Sequence, residues 1–265
     1  MRALSVLAIA LFTVACATAP SGRSQLLLVS DSQMQQMGIA AFEQMKAKDK
    51  LAGDARQQAY VRCVTDHLVR ALPAEWQRLP WETQLFEDAT PNAFALPGGK
   101  IGVNTGMLRV ATDQHQLAAV LGHEVGHVVF RHANERVSRS ALAETGVSVV
   151  GAYAGTRGSP ESTRTLMGLL GAGVQVGVLL PFSREQEREA DVYGQELMAR
   201  AGFDPAAAVT LWRNMQALGN AGRPPQLLST HPDPGNRVQR LAERAPELAP
   251  VYQRARAAGR DPKCG

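Results

Sequence analysis

Cysteine and aromatic residues are scarce in this chain of 265 residues, which has three of the former and 5% of the latter. The cysteines form no Cys-x-x-Cys pair, so we predict neither Cys63 nor Cys264 as a metal ligand. The net charge is only +4, and the densest run of arginines, between residues 237 and 260, is not interleaved with aromatics. That run indicates a solvated helix face, and no nucleic-acid partner is predicted.

Apolar runs long enough for a lasting transmembrane helix are also lacking. The run from 3 to 15, after Met1 and Arg2, is too short for a permanent anchor and is predicted as a secretory signal over residues 1–15. A second run, 166–180, would make a helix of about 22 Å against a bilayer core of about 30 Å. We predict it to be a buried helix or an active-site cover, with shallow membrane contact as the alternative.

Small residues before Cys16 resemble a bacterial lipobox, in which this cysteine becomes the lipidated first residue of the mature protein. The alternative is ordinary cleavage after Ala17 or Ala19, since both end an Ala-x-Ala pattern. Either route exports the chain. In an oxidising compartment Cys63 and Cys264 then become a candidate disulfide.

The stretch from His123 to His127 reads His-Glu-Val-Gly-His. On a helix, positions four apart lie on one face, so both imidazoles can hold one metal ion, and Glu124 lies about 100° round. This is the pattern of a zinc hydrolase whose carboxylate is the general base for a metal-activated water. The alternative is coincidence, which a random order of this composition would produce in fewer than about one chain in a hundred.

A catalytic zinc ion held by two histidines needs a third protein ligand. The extended pattern with a third histidine is not met, because Phe130 and Ala133 stand at its glycine and histidine positions. His132 follows His127 by five residues, which indicates a place behind a ligand or in the core. We predict the helix of the two histidines to begin near Asp113 and to continue to about Arg139.

The segment from 184 to 191 offers three glutamates as the third ligand. Helical periodicity places Glu187 and Asp191 on one face with Ala190 and Gly194, where another helix can approach closely. Glu185, Glu189 and Glu196 fall on the opposite side and are predicted to face solvent. Glu187 is therefore the predicted ligand, and Asp191 is placed to accept the second N–H of a ligand histidine.

Together these motifs resemble those of the HtpX / CAAX-prenyl-protease-type zinc peptidase family, in particular its periplasmic lipoprotein branch (LoiP/BepA/Oma1-like). The resemblance covers about residues 55–255, and the matching stretches are 92–104, 123–127 with His132, 181–191, and 229–232 with Arg237. It implies that Glu187 ligates zinc, in agreement with the helix face. It also implies that His231 lies near the metal, as a gate over the open position or a donor to the oxyanion, with Arg237 as a basic partner. A solvated loop histidine is the alternative interpretation of His231.

Residues 92–104 are predicted as a hairpin around a Pro-Gly-Gly turn. We expect its first strand, with Asn92, Ala93, Phe94 and Ala95, to be a sheet edge to which the substrate adds as a strand. Further along, Pro246 and Pro250 are predicted to punctuate a polar tail.

The fold is predicted as α+β, mostly helical and gluzincin-type, with a small β-sheet beside the helix of the two histidines. Residues 16–29 are expected to form a lipid-anchored tether, and residues 30–265 a single catalytic domain with one zinc ion. The expected function is that of a periplasmic endopeptidase at the outer membrane, which hydrolyses unfolded or misassembled envelope proteins. The alternative is a lipoprotein chaperone or assembly factor for outer-membrane proteins that retains the zinc site and cleaves rarely.

Overall fold

The computed structural model describes residues 16–153, 181–220, 226–232 and 235–265. The predicted signal at 1–15 and the apolar run at 166–180 lie outside the described residues. Of the helices that the structure describes, none combines the length and the apolar character needed to cross a bilayer.

The described part of the chain is mostly helical and carries short strands, which confirms the predicted α+β class. The helices are α1 (Asp31–Lys48), α2 (Ala55–Arg70), α3 (Ala74–Gln77), α4 (Gln114–Val129), α5 (His132–Tyr153), α6 (Arg184–Ala201), α7 (Ala207–Asn220), α8 (Gln226–Thr230) and α9 (Arg237–Ala257). The strands are β1 (Cys16–Thr18), β2 (Ser24–Leu26), β3 (Glu82–Phe86), β4 (Ala93–Leu96) and β5 (Lys100–Asn104).

Strands β3, β5 and β4 form a sheet in that order, with β3 parallel and β4 antiparallel to β5. The turn between β4 and β5 needs two residues with positive φ, and Gly98 (+85°) and Gly99 (+74°) supply them. Among the described residues no strand pairs with the outer side of β4. The predicted hairpin is therefore present, and its first strand forms an edge of this sheet.

Helix α4 is the centre of the core, where it packs against α2, α6, α7 and β4. Its interface with α6 is made of small residues: a Cβ atom added to Gly194 would lie only 2.7 Å from the backbone carbon of Gly122. A Cβ atom added to Gly126 would lie 3.1 Å from the Cα atom of Ala190. Because no side chain separates the two backbones, α6 brings its first turns directly beside the two histidines of α4.

Helix α4 ends ten residues before the predicted end near Arg139, because Arg131 adopts a left-handed conformation (φ 56°). A new helix, α5, begins at His132. The buried Gln25 side chain donates a hydrogen bond of 2.7 Å to the carbonyl of Phe130, one of the groups that the end of α4 leaves unpaired. The prediction of a continuous helix was wrong, and the break changes the direction in which His132 points.

Residues 16–26 differ from the tether that the sequence indicated. Strands β1 and β2 pair antiparallel, and the N-terminal hairpin that they form (residues 16–26) packs on the protein, with Ala19 and Gln25 buried. Asn134 donates 2.7 Å to the carbonyl of Val29, so the chain after the hairpin is also attached to α5. Composition indicates which residues can be mobile, but these contacts with sequence-distant helices hold the segment in place.

The C-terminal helix also differs from prediction. Helix α9 continues through Pro246 and Pro250, where we expected a tail. Its Leu241, Leu248 and Ala255 are buried, and this packing outweighs the cost of interior proline, about 3 kcal/mol per residue in an isolated helix. Beyond it, a disulfide joins Cys264 to Cys63 of α2, with their Cα atoms 5.5 Å apart.

Candidate metal centre

Four side chains converge beside the buried end of α4. His123 and His127 come from α4, Glu187 from the first turn of α6, and His231 from the residue after α8. All four are buried. The capping box of Ser183 and Gln186 fixes the start of α6 and therefore the position of Glu187.

The ligand atoms of this cluster lie close enough together to share one ion. The Nε2 atoms of His123 and His127 are 3.0 Å apart, and each lies 3.4 Å from an oxygen of Glu187. Nδ1 of His231 lies 3.2 Å from Nε2 of His123 and 3.1 Å from Oε1 of Glu187. Ligands at about 2.0–2.1 Å from a central ion would be about 3.3–3.4 Å from one another. The cluster therefore fits one small ion.

The groups next to the Nδ1 atoms of His123 and His127 are those expected if both imidazoles bind a metal ion in their neutral form. Nδ1 of His123 lies 2.9 Å from Oδ1 of Asp191, and Nδ1 of His127 lies 2.8 Å from Nδ1 of His132. If both Nδ1 atoms carry the proton, both Nε2 lone pairs face the cluster, where they repel unless a positive charge lies between them. Either a proton or a metal cation can provide that charge.

His123 lies on the side of α9. Arg237 donates 2.8 Å from Nε to Asp191 and pairs through Nη2 with Glu187, and its guanidinium stacks 3.9 Å over the ring of Trp212. Burial lowers the pKa of His123, but the nearby Glu187 and Asp191 outweigh it and raise the pKa to about 9 in the absence of a cation.

His127 lies on the side of α5 and of the N-terminal hairpin. His132 connects it to Glu189, whose Oε2 is 3.0 Å from His132 Nε2. Arg23 of the hairpin pairs with Glu189 at 2.9 Å and with Glu135 at 2.8 Å. Burial lowers the pKa of both His127 and His132, so both are neutral at physiological pH.

The predicted solvent exposure of Glu189 was wrong, because its side chain is only 5% exposed. Burial alone would raise its pKa, but hydrogen bonds from His132, Arg23 and Ser21 outweigh this and lower it to about 2. Glu185 is exposed as expected. Periodicity assigned the helix face correctly, but α5 and the N-terminal hairpin cover the side on which Glu189 lies.

Glu124 is buried on the remaining side of the cluster, next to the sheet edge. Its Oε1 lies 3.5 Å from Nε2 of His231. Burial raises its pKa above the ordinary 4.5, while the neighbouring imidazoles of His231 and His123 and a backbone hydrogen bond with Ala95 act in the opposite direction. A raised pKa makes a carboxylate a stronger base, which suits a group that accepts and returns a proton.

Three residues at the centre were not found by sequence reasoning. Phe182 stacks on His127 with ring centroids 3.7 Å apart, Trp212 lies edge-on to His123 at 5.4 Å, and Arg23 holds Glu189. Phe182 directly precedes the Ser183 cap of the ligand helix, which is a usable signal. Arg23 and Trp212 carry no local motif, and only the fold brings them to the centre.

Comparison with known proteins agrees with this geometry. The family model described as Peptidase family M48 matches residues 55–245. The chain belongs to peptidase family M48. This membership confirms the resemblance that the motifs indicated. The cluster of His123, His127 and Glu187 is suited to bind a metal ion.

Relatives in this family are named as proteases. The chain is 41% identical over 170 residues to "Mitochondrial metalloendopeptidase OMA1" of Schizosaccharomyces pombe, which covers 64% of this chain and 48% of the relative. It is 32% identical over 235 residues to "Beta-barrel assembly-enhancing protease" of Escherichia coli K12, covering 87% and 47%. The human "Metalloendopeptidase OMA1, mitochondrial" is 32% identical over 248 residues, covering 88% and 46%. The chain thus spans about half the length of these relatives.

Proposed function

We propose that this chain is a zinc-dependent endopeptidase of the bacterial cell envelope, with Glu124 as general base. The observation that carries the proposal is the buried cluster of His123, His127, Glu187 and His231, with Glu124 beside both the cluster and Ala95 of the edge strand β4. Two histidines and one glutamate are a usual ligand set of catalytic zinc. The names of the family's relatives support peptide-bond hydrolysis.

Glu124 is placed to move the proton that hydrolysis requires. When bound, a zinc ion supplies a Lewis acid for the scissile carbonyl and lowers the pKa of an adjacent water. Glu124 accepts the proton of that water and returns it to the leaving amine. Glu124 is buried beside the cluster, within reach of the site at which this water would lie.

Strand β4 offers the substrate a backbone partner. The N–H of Asn104 donates 2.9 Å to the carbonyl of Asn92, so the pair 92/104 is hydrogen-bonded and alternate pairs along the hairpin are not. Ala93 and Ala95 therefore direct their backbone groups away from β5; Ala95 bonds Glu124 through one of these groups, and the others face the free edge. Peptides N-methylated at alternate positions test this: methylation on the side that faces β4 should abolish cleavage, and methylation one residue along should not.

His231 is proposed to close the position in the cluster that a water molecule needs during hydrolysis. Nδ1 of His231 is as close to His123 and Glu187 as a fourth ligand would be. This geometry supports a gate, which must swing away before a substrate is cleaved. His231→Ala should then raise kcat; a fall of about 100-fold would instead support a donor to the oxyanion.

The cellular site is proposed from the sequence and from the name of one relative. The apolar run before Cys16 supports export and a lipid anchor in the outer membrane. A relative named for β-barrel assembly supports unfolded or misassembled envelope proteins as substrates. The same name supports a second candidate, a chaperone or assembly factor that cleaves rarely.

Turnover of an unfolded protein separates the two candidates. Purified wild type should cleave casein in multiple turnovers with about one zinc per chain, and Glu124→Gln should retain the zinc and lose at least about 100-fold in kcat. Equal residual cleavage by both proteins would refute the endopeptidase. Radiolabelled palmitate incorporation that Cys16→Ser abolishes tests the lipid anchor.

A further inference from the structure

A pocket opens beside the metal centre on the side of α1 and α3. His127 and Phe182 line it where it meets the metal centre, and Met34, Trp76, Leu79 and Val128 form apolar walls. These walls come from helices and a loop that precede the sheet and from the end of α4. None of them is used by the ligand cluster or by Glu124, although the pocket is continuous with the site at His127.

The position of the pocket along β4 relates it to one side of the scissile bond. Ala95, Pro97 and Gly98 line the pocket, whereas Ala93 does not. The pocket therefore lies towards the C-terminal end of β4 from the point where Glu124 meets Ala95. A substrate that runs antiparallel to β4 places residues N-terminal to the scissile bond there.

The rim of the pocket disfavours a charged occupant. Arg131 of the α4–α5 junction and Asp31 of α1 pair at 3.0 Å, and the Arg131 guanidinium lies 5.9 Å from the ring of Trp76. Each charge at the rim already has a partner of opposite sign. A charged substrate side chain would lose its hydration among the apolar walls and meet no free counter-charge.

We propose that this pocket binds a large apolar side chain of the substrate on the N-terminal side of the scissile bond. Burial of such a side chain between Met34, Trp76 and Leu79 makes the enzyme select extended segments that are normally buried in a folded protein. Unfolded chains expose these segments. The inference rests on the proposed endopeptidase activity and adds the chemistry that selects the cleavage site.

Quenched fluorescent peptides that differ at a single position test the pocket. One series carries Leu, Phe, Gly or Asp directly N-terminal to the cleaved bond and a second series carries them directly C-terminal. Wild type should favour Leu and Phe over Gly and Asp by about tenfold or more in kcat/KM, in the first series. Leu79→Glu should reduce that preference by about tenfold or more, since it places a carboxylate in the apolar wall.

Leu218→Glu is the matched control, because Leu218 is 39% exposed on α7, away from the pocket. It should keep the wild-type preference. Zinc content shows whether each variant is folded, and Leu79→Ala, which widens the pocket with less disturbance, replaces Leu79→Glu if the latter does not retain zinc.

The possible failures are distinguishable. Cleavage without preference, a preference confined to the C-terminal series, or a preference that survives both Leu79 variants would overturn the pocket and leave the endopeptidase standing. Wild-type cleavage no faster than that of Glu124→Gln would overturn the endopeptidase, and the pocket inference with it.

Discussion

His123 and His127 lie one turn apart on one helix, yet different parts of the protein hold them. His123 is oriented by Asp191 and Arg237, both buried in the interface of α6 with α9. His127 is oriented through His132 and Glu189, and this second chain of contacts ends at Arg23 of the N-terminal hairpin, which is 22% exposed. One histidine is thus held by the core, and the other by contacts that reach the N-terminal hairpin.

This difference indicates how the two sides respond to change. A buried ion pair that loses one partner leaves an uncompensated charge, which is strongly destabilising. A partly exposed ion pair is screened by water, and its loss costs little. We therefore expect variants on the His123 side to reduce metal affinity more than corresponding variants on the His127 side.

The largest effect is expected at Glu187, which contacts both sides. Glu187→Gln should lose the metal, because a neutral amide replaces a charged ligand and leaves Arg237 without one of its carboxylates. Glu185→Gln on the same helix, with an exposed side chain, should keep about one zinc per chain. Metal analysis of both purified proteins decides the assignment; zinc retained by Glu187→Gln would contradict it.

The second-largest effect on metal binding is expected for Asp191→Ala. The substitution removes the partner of His123 Nδ1 and one acceptor of Arg237, and we expect zinc affinity to fall by about 100-fold. Competition with a chelator of known affinity measures the change. An affinity within about threefold of wild type would show that the α9 side does not orient His123.

His132→Ala tests the other side of the comparison. His127 loses its Nδ1 partner, and zinc affinity should fall by about tenfold. The loss is smaller than in Asp191→Ala because the substitution leaves no buried charge unpaired: Glu189 loses His132 but keeps its ion pair with Arg23. A larger loss than in Asp191→Ala, in the same competition assay, would reverse the comparison.

Glu189 should make a contribution to stability that depends on pH. Its pKa is lowered from 4.5 to about 2 by its hydrogen bonds, so its stabilising contribution is present above pH 4.5 and is lost as the pH falls through about 2. Thermal unfolding of the wild type between pH 5 and about 2.5 should show a steeper fall in Tm than that of Glu189→Gln. Parallel profiles would mean that Glu189 is not ion-paired in solution.

The smallest effect is expected at Arg23. Arg23→Ala should weaken zinc binding by no more than about fivefold, as its ion pairs are partly exposed. Arg23→Lys should restore part of the loss, and Arg62→Ala on the exposed face of α2 should change nothing. An Arg23→Ala effect as large as that of Asp191→Ala would show that the N-terminal hairpin holds the centre as firmly as the core does.

Local patterns were sufficient for the parts of the site that lie on single helices. Positions four apart place His123 and His127 together on any helix, and the small residues at 190 and 194 marked the face of Glu187. The Ser183 cap and the hairpin at 92–104 are likewise short-range features that the chain forms from neighbouring residues. These are the elements that the sequence by itself determined.

Tertiary structure decided the rest, because it depends on which distant segments meet. The left-handed Arg131 turns His132 back to His127, the N-terminal hairpin covers Glu189, and packing on α6 carries α9 through two prolines. A helix pattern shows which residues share a face, but it does not show what covers that face. Each of these features is set by side-chain contacts between residues far apart in the sequence, for which no local signal exists.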